Sequence, residues 1–408
     1  MVYRYTASGR VRTLEYAIRD IAVLARELER RGNRVLYLNI GDPLRYDFSP
    51  PSFLRRALAE AVEEGFNFYS PSEGLEELRE RIAERERARG VDVESGDIVV
   101  TQGVSEAVNF LMAAMVEEGD EVLLPSPCYP IYVNYAKFYG GIPRFYRLES
   151  YGNEWRINLD DIREKFSQKT KMIVLINPHN PTGALLGRRE IEEVLDIAGE
   201  NGLCVVSDEI YDEIVYEGIF YSTAALAGDV PVIGLNGFSK TYPVTGWRIG
   251  YMYFRDPEGR LDETREGVVR LARNRLSAST PAQRALAKAL LLRKDFIEDL
   301  KAKLRARRDL LLKLVEAIEE LELPRPKAAF YAYLTLKTRG DWRDDVDFTR
   351  KLLEEEFIAV VPGSGFYDYR KDRFRVVFLP PEEVLREAIE RLNAFLRVPT
   401  YVGVGGPT

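Results

Sequence analysis

Residues 172–211 read MIVLINPHNPTGALLGRREIEEVLDIAGENGLCVVSDEIY. Two apolar runs, MIVLIN (172–177) and LCVVSD (203–208), enclose a stretch at 188–202 whose apolar residues recur at helical spacing. The same alternation continues outward from this unit. IVVT (98–101), VLLP (122–125), RFYRL (144–148), VIGLN (232–236) and RIGYMYF (248–254) are short apolar runs, and EAVNFLMAAMVEEG (106–119) has the pattern of an amphipathic helix. Strands that alternate with helices imply a mostly parallel sheet covered on both faces, so this part is expected to be an α/β domain.

Upstream, the helical pattern at 14–31 stops at Gly32, a residue suited to a helix C-terminus, and VLYLNIG (35–41) follows as a short strand. Downstream, 281–321 is a long helical pattern with no internal proline, expected to bridge two domains. FYAYLTL (330–336), a helix near 346–356, IAVVPG (358–363), FRVVFL (374–379) and a helix at 381–397 then give an α+β pattern. The expected division is a segment at 1–48 joining the small domain, a large domain at 49–290, a smaller C-terminal domain at 291–400 and a flexible tail at 401–408.

Composition removes several kinds of chemistry. The 408 residues include one histidine, His179, and two cysteines, Cys128 and Cys204. A site built from several imidazoles is excluded, a Cys/His zinc site would need nearly all of these residues, and no disulfide framework is available. Proton transfer is therefore expected to fall to Lys, Tyr, Asp or Glu. The net charge of −7 is spread over mixed acidic and basic residues, with no basic stripe for nucleic acid. The first residues lack the apolar centre of a signal peptide, and no run of about 18 apolar residues exists to cross a bilayer, from which a cytoplasmic location is expected. Only three glutamines beside abundant Glu, Lys and Arg match the bias of heat-adapted proteins.

In an open α/β sheet, ligands sit at the carboxyl ends of strands, so the residues after each apolar run are the candidates. After IVVT come Gln102, Gly103, Val104 and Ser105 and then a helix, a layout that directs free N–H groups at an anion or is a simple glycine turn capped by Ser105. After MIVLIN, two prolines and Gly183 fix a loop holding Asn177 and Asn180, and the Asn180 amide can donate into the cleft. Asp208 ends a buried strand, where it either meets a cation or caps a turn, and Tyr211 follows about one helical turn later. Lys240 follows VIGLN and precedes a segment rich in Gly, Thr and aromatics. Most lysines are solvated surface charges, but a buried one loses its proton readily and attacks carbonyls. Arg248 has the fork geometry to clamp a phosphate. Together these residues fit pyridoxal phosphate: the aldehyde for Lys240, the ring nitrogen for Asp208, the phenolic oxygen for Tyr211 and Asn180, and the phosphate for Gly103, Val104, Ser105, Ser239 and Arg248.

The segments NPHNPTG (177–183), DEIY (208–211) and NGFSKTYPVTGWRIGY (236–251), in order and spacing, resemble the signatures of class I/II pyridoxal-phosphate aminotransferases of fold type I. The resemblance runs over nearly the whole chain. It implies a large domain with a mostly parallel mixed sheet flanked by helices, and a smaller α+β domain. It implies that Lys240 holds the aldehyde of pyridoxal 5′-phosphate covalently and then carries a proton between the substrate α-carbon and the cofactor, while Asp208 keeps the ring nitrogen protonated. Tyr129 matches an aromatic that stacks on the ring. Tyr69, in YSPSEGLEELRE, matches a tyrosine that reaches the phosphate of the neighbouring subunit, which implies a homodimer with shared active sites. Arg375 matches the arginine that forks onto the α-carboxylate, and Gly41, in NIGDP, the glycine whose backbone approaches that group. Some relatives carry serine where this chain has Gly237, which leaves Ser239 as the phosphate contact.

Within the family, the segments at 16–43, 324–333 and 360–380 resemble most the alanine aminotransferase branch. The expected substrates are small molecules, an L-amino acid such as alanine and 2-oxoglutarate, exchanged in a ping-pong cycle. Tyr16 and Arg19 are expected to help hold the distal carboxylate of the diacid, with a plain packing helix as the alternative. An aromatic or broad-specificity aminotransferase and a β-lyase on the same scaffold are the rival readings. His179 is expected to support the loop beside Asn180 rather than to act on substrate.

Overall fold

The computed structural model describes residues 5–14, 17–292, 295–338 and 340–397; the side chains of 17–20 lie outside the description. Its largest sheet has eight strands, in the order Ile98–Thr101, Gly250–Arg255, Val232–Gly237, Cys204–Asp208, Thr170–Ile176, Glu121–Ser126, Ile142–Tyr151 and Glu154–Ile157. Six of these run one way. Gly250–Arg255 and Glu154–Ile157 are antiparallel to their neighbours, so the sheet is mixed but mostly parallel.

The central strands are apolar along their length because both faces are covered. Successive side chains point to opposite faces. Ile173 and Leu175 join one core cluster with Ile82, Ile191 and Leu286 of the helices on that side. Met172, Val174 and Ile176 join the other, with Val108, Leu111 and Val268 of the helices opposite. A second sheet is antiparallel, in the order Leu321–Glu322, Tyr331–Leu336, Arg373–Val377 and Val361–Pro362. Leu36–Tyr37 pairs in parallel with Ile358–Ala359, which ties the N-terminal segment to this second layer.

Two expectations need correction. The pattern at 281–321 is two helices, Thr280–Leu290 and Asp295–Glu316, with exposed Leu291 and Leu292 after the first. Their apolar faces belong to different cores. Ala282, Leu286 and Ala289 pack with the helices Ser52–Glu63 and Glu76–Arg87, whereas Leu304, Leu311 and Val315 pack with Phe330, Phe378 and Leu385. One straight helix cannot serve both. The strand expected over 35–41 is only Leu36–Tyr37; beyond it Leu38 still bonds Ala359, and Asn39, Ile40 and Gly41 leave the pairing to line a cavity. The tail at 401–408 lies outside the described residues.

Candidate active site

The carboxyl ends of the parallel strands deliver Gly103, Tyr129, Asn180, Asp208 and Lys240 to one edge of the large sheet. Arg248 reaches the same edge from the opposite direction, because it precedes the antiparallel strand Gly250–Arg255. The second sheet adds Tyr331 and Arg375, adjacent strands with Tyr333 opposite Arg375. Between them lies a cavity of about 420 Å³. Gly41, Val104, Ser105 and Tyr129 share its wall with Asn180, Asp208, Tyr211, Ser239, Lys240, Arg248 and Arg375.

Lys240 extends into the cavity, where its Nζ donates to the Gly41 carbonyl at 2.8 Å. Burial pulls the amine down from 10.5 to about 8, with Arg248 and Arg375 adding to the effect and Asp42 opposing it. A lysine so placed supplies a neutral nucleophile near physiological pH. Asp208 is pushed up to about 6 by burial, and the hydroxyl of Tyr132, which donates to Oδ2 at 2.7 Å, opposes that rise. The Ile210 amide donates to its Oδ1 at 3.2 Å.

Gly103 precedes the helix Val104–Met115 at φ +76°, a conformation open to glycine, and a Cβ there would collide with the Arg248 guanidinium. The helix N-terminus and Arg248 thus form an anion cradle at one end of the cavity. Arg375 lines the same cavity. Its guanidinium sits 4.7 Å from the Tyr331 ring centroid and 4.8 Å from that of Phe366, and it donates to the Asn39 carbonyl at 2.6 Å and to Asn180 Oδ1 at 3.1 Å. Its buried Nε has no hydrogen-bond partner among the described residues. A cavity-lining guanidinium with a buried donor left over suits a carboxylate.

Two tyrosines in the site had no signal in the sequence. Tyr331 hydrogen-bonds Tyr211 through the two hydroxyls at 2.7 Å, and it lines the cavity. It was one aromatic among several in an alternating strand. Tyr132 stands on the helix Pro130–Phe138 among apolar neighbours and had the pattern of core. His179 is buried and does not line the cavity, its Nδ1 2.8 Å from the Thr182 hydroxyl; burial pushes it down to about 3, so it is neutral at physiological pH. Tyr69 is 78% exposed and away from the cavity of its own chain. Tyr16 and the Arg19 side chain lie outside the described residues.

The arrangement fits a phosphorylated aromatic aldehyde: an anion cradle, a buried carboxylate that lines the cavity, an amine of lowered basicity, and a separate guanidinium for a carboxylate. A fold type I architecture with such a site is that of the pyridoxal-phosphate aminotransferases. The model of the family described as aminotransferase class I and II matches residues 33–392, and the chain belongs to that family. It is an aminotransferase of the alanine aminotransferase-like kind. An alanine aminotransferase from Pyrococcus furiosus superimposes with a TM-score of 0.94 at 46% identity, covering 96% of this chain and 100% of that one. The glutamate-pyruvate aminotransferase of Haemophilus influenzae is 34% identical over 377 residues, 91% of this chain and 93% of its own. The (5-formylfuran-3-yl)methyl phosphate transaminase of Methanocaldococcus jannaschii is also 34% identical, over 387 residues, 93% of this chain and 96% of its own. Among the described residues no helix is long and apolar enough to cross a membrane, and no cluster of metal-ligating side chains is present.

Proposed function

We propose that the chain is a pyridoxal-phosphate aminotransferase that moves an amino group between alanine and 2-oxoglutarate in two half-reactions. The observation that carries the reading is the convergence of Lys240, Asp208 and Arg375 on one cavity that also has an anion cradle. The cofactor, when bound, supplies an aldehyde that takes the amino group and a ring that accepts the electron pair left at the α-carbon. Lys240 would hold the aldehyde, and its amine would serve as the base that removes and returns the α-proton. Asp208 holds the ring nitrogen in its protonated form. Tyr211, hydrogen-bonded to Tyr331, and Asn180, hydrogen-bonded to Arg375, would contact the phenolic oxygen, and Tyr129 would stack on the ring. Gly103, Val104, Ser105, Ser239 and Arg248 hold the phosphate. Arg375 forks onto the substrate α-carboxylate beside Gly41, which orients the α-hydrogen towards Lys240.

Alanine is favoured by the similarity to alanine and glutamate-pyruvate aminotransferases over most of the chain. Tyr16 and Arg19 are assigned to the distal carboxylate of the diacid. The exposure of Tyr69 supports its assignment to the phosphate of a second copy in a homodimer. The test is a panel of amino donors with 2-oxoglutarate, following the oxo-acid product. Alanine is expected to give the highest kcat/KM; a clear preference for aromatic donors would overturn the substrate assignment while leaving the class in place.

A further inference from the structure

Asp208 is buried and lines the cavity. Two hydrogen bonds fix its carboxylate: Oδ1 accepts from the Ile210 amide and Oδ2 accepts from the Tyr132 hydroxyl. The first donor is backbone and is set by the turn after Cys204–Asp208. The second is a side chain on a different element, the helix Pro130–Phe138.

Tyr132 is fully buried, and its ring packs in the cluster that holds Val108, Leu124, Val133, Val174 and Val206. Its hydroxyl is its only polar atom. The phenol is held well above its usual range by burial and by the carboxylate, so it keeps its proton and acts as donor. The other titratable groups facing Asp208 are the Cys128 thiol and the Tyr211 phenol, both also raised by burial and hence neutral, and the Lys240 amine. Tyr132 is thus the one side chain that hydrogen-bonds Asp208 among the described residues.

We infer that Tyr132 is a positioning residue, which fixes the Asp208 carboxylate and keeps it ionised so that it can pair with a protonated ring nitrogen. The inference rests on the cofactor reading above. A hydrogen bond from a neutral donor to a carboxylate favours the charged form. Losing such a bond moves a carboxylate by about one to two pH units towards protonation.

The test is Tyr132→Phe, which keeps the ring and its packing and deletes the hydroxyl. The apparent affinity of the full chain for pyridoxal phosphate is titrated by absorbance between about pH 5 and 9, where Asp208 changes charge. The pH below which binding weakens is expected to move up by about one to two units, with affinity returning towards the wild-type value at the alkaline end. Thermal denaturation of both forms checks that the fold is intact. An affinity profile that superimposes on the wild type overturns the inference, and so does a loss of equal size at every pH, which a purely structural role would give. Absence of any pyridoxal-phosphate binding by the wild-type chain is a separate outcome, one that overturns the cofactor reading itself.

Discussion

Replacing Arg375 by lysine keeps a positive charge and removes the fork. In the structure the guanidinium is held by four features: the Asn39 carbonyl, Asn180 Oδ1, and the rings of Tyr331 and Phe366. Two of its nitrogens are thus oriented by the protein, and Nε has no hydrogen-bond partner among the described residues. Lysine offers a single point charge in place of two parallel donors. One charge-assisted hydrogen bond lost corresponds to about 1.5–3 kcal/mol, or roughly a 10- to 150-fold fall in kcat/KM. Amino acid and oxo acid carry the same α-carboxylate, so the fall is expected in both half-reactions and by a similar factor. The assay is steady-state kinetics with each substrate varied in turn, together with the absorbance of bound cofactor, which is expected to be unchanged. An unaltered kcat/KM, or a fall for one substrate alone, would refute the assignment of Arg375 to the shared carboxylate.

Three further outcomes are expected. Between about 8 and 10.5, the folded and ordinary values of Lys240, the unfolded chain holds a proton that the folded chain has lost, so stability of the cofactor-free protein rises with pH across that window. Below it the burden is up to about 3 kcal/mol; Lys240→Met is therefore expected to abolish turnover while making the cofactor-free protein more resistant to urea at neutral pH. Asp212→Asn is expected to destabilise the fold by about 3–5 kcal/mol in urea titrations, because Arg85, 2.8 Å from Asp212 Oδ2, and Arg89 would lose their shared buried carboxylate. Gly41→Ala places a Cβ 2.6 Å from the Tyr331 hydroxyl and displaces it from Tyr211. The strain is on the order of 1–3 kcal/mol, read as a raised KM for both substrates with little change in the far-ultraviolet circular dichroism.

The alternation around residues 172–211 made the sheet legible, since a strand buried on both faces must be apolar throughout. The strands after 98, 121, 170, 204 and 232 lie where the apolar runs placed them. The break after Leu290 was hidden because both flanking helices carry apolar residues at the same period, and periodicity does not say which core a face will join. In the site, Asp208 and Lys240 stood out because each carries charge after an apolar run, and Arg248 because it heads the next one. Tyr132 and Tyr331 did not, since a tyrosine within an apolar pattern has the signature of packing until its hydroxyl partner is known. Arg375 lay within an apolar strand, and only the fold brings it to Asn180, 195 positions earlier in the chain.

The proposed function stands on Lys240 as the residue that carries the cofactor. Reconstituting the full chain with pyridoxal phosphate, reducing it with borohydride and mapping the modified peptide by mass spectrometry tests this most directly. The modification is expected on Lys240 and is expected to vanish in Lys240→Met. Modification of a different lysine, or none at all after reconstitution, would contradict the account.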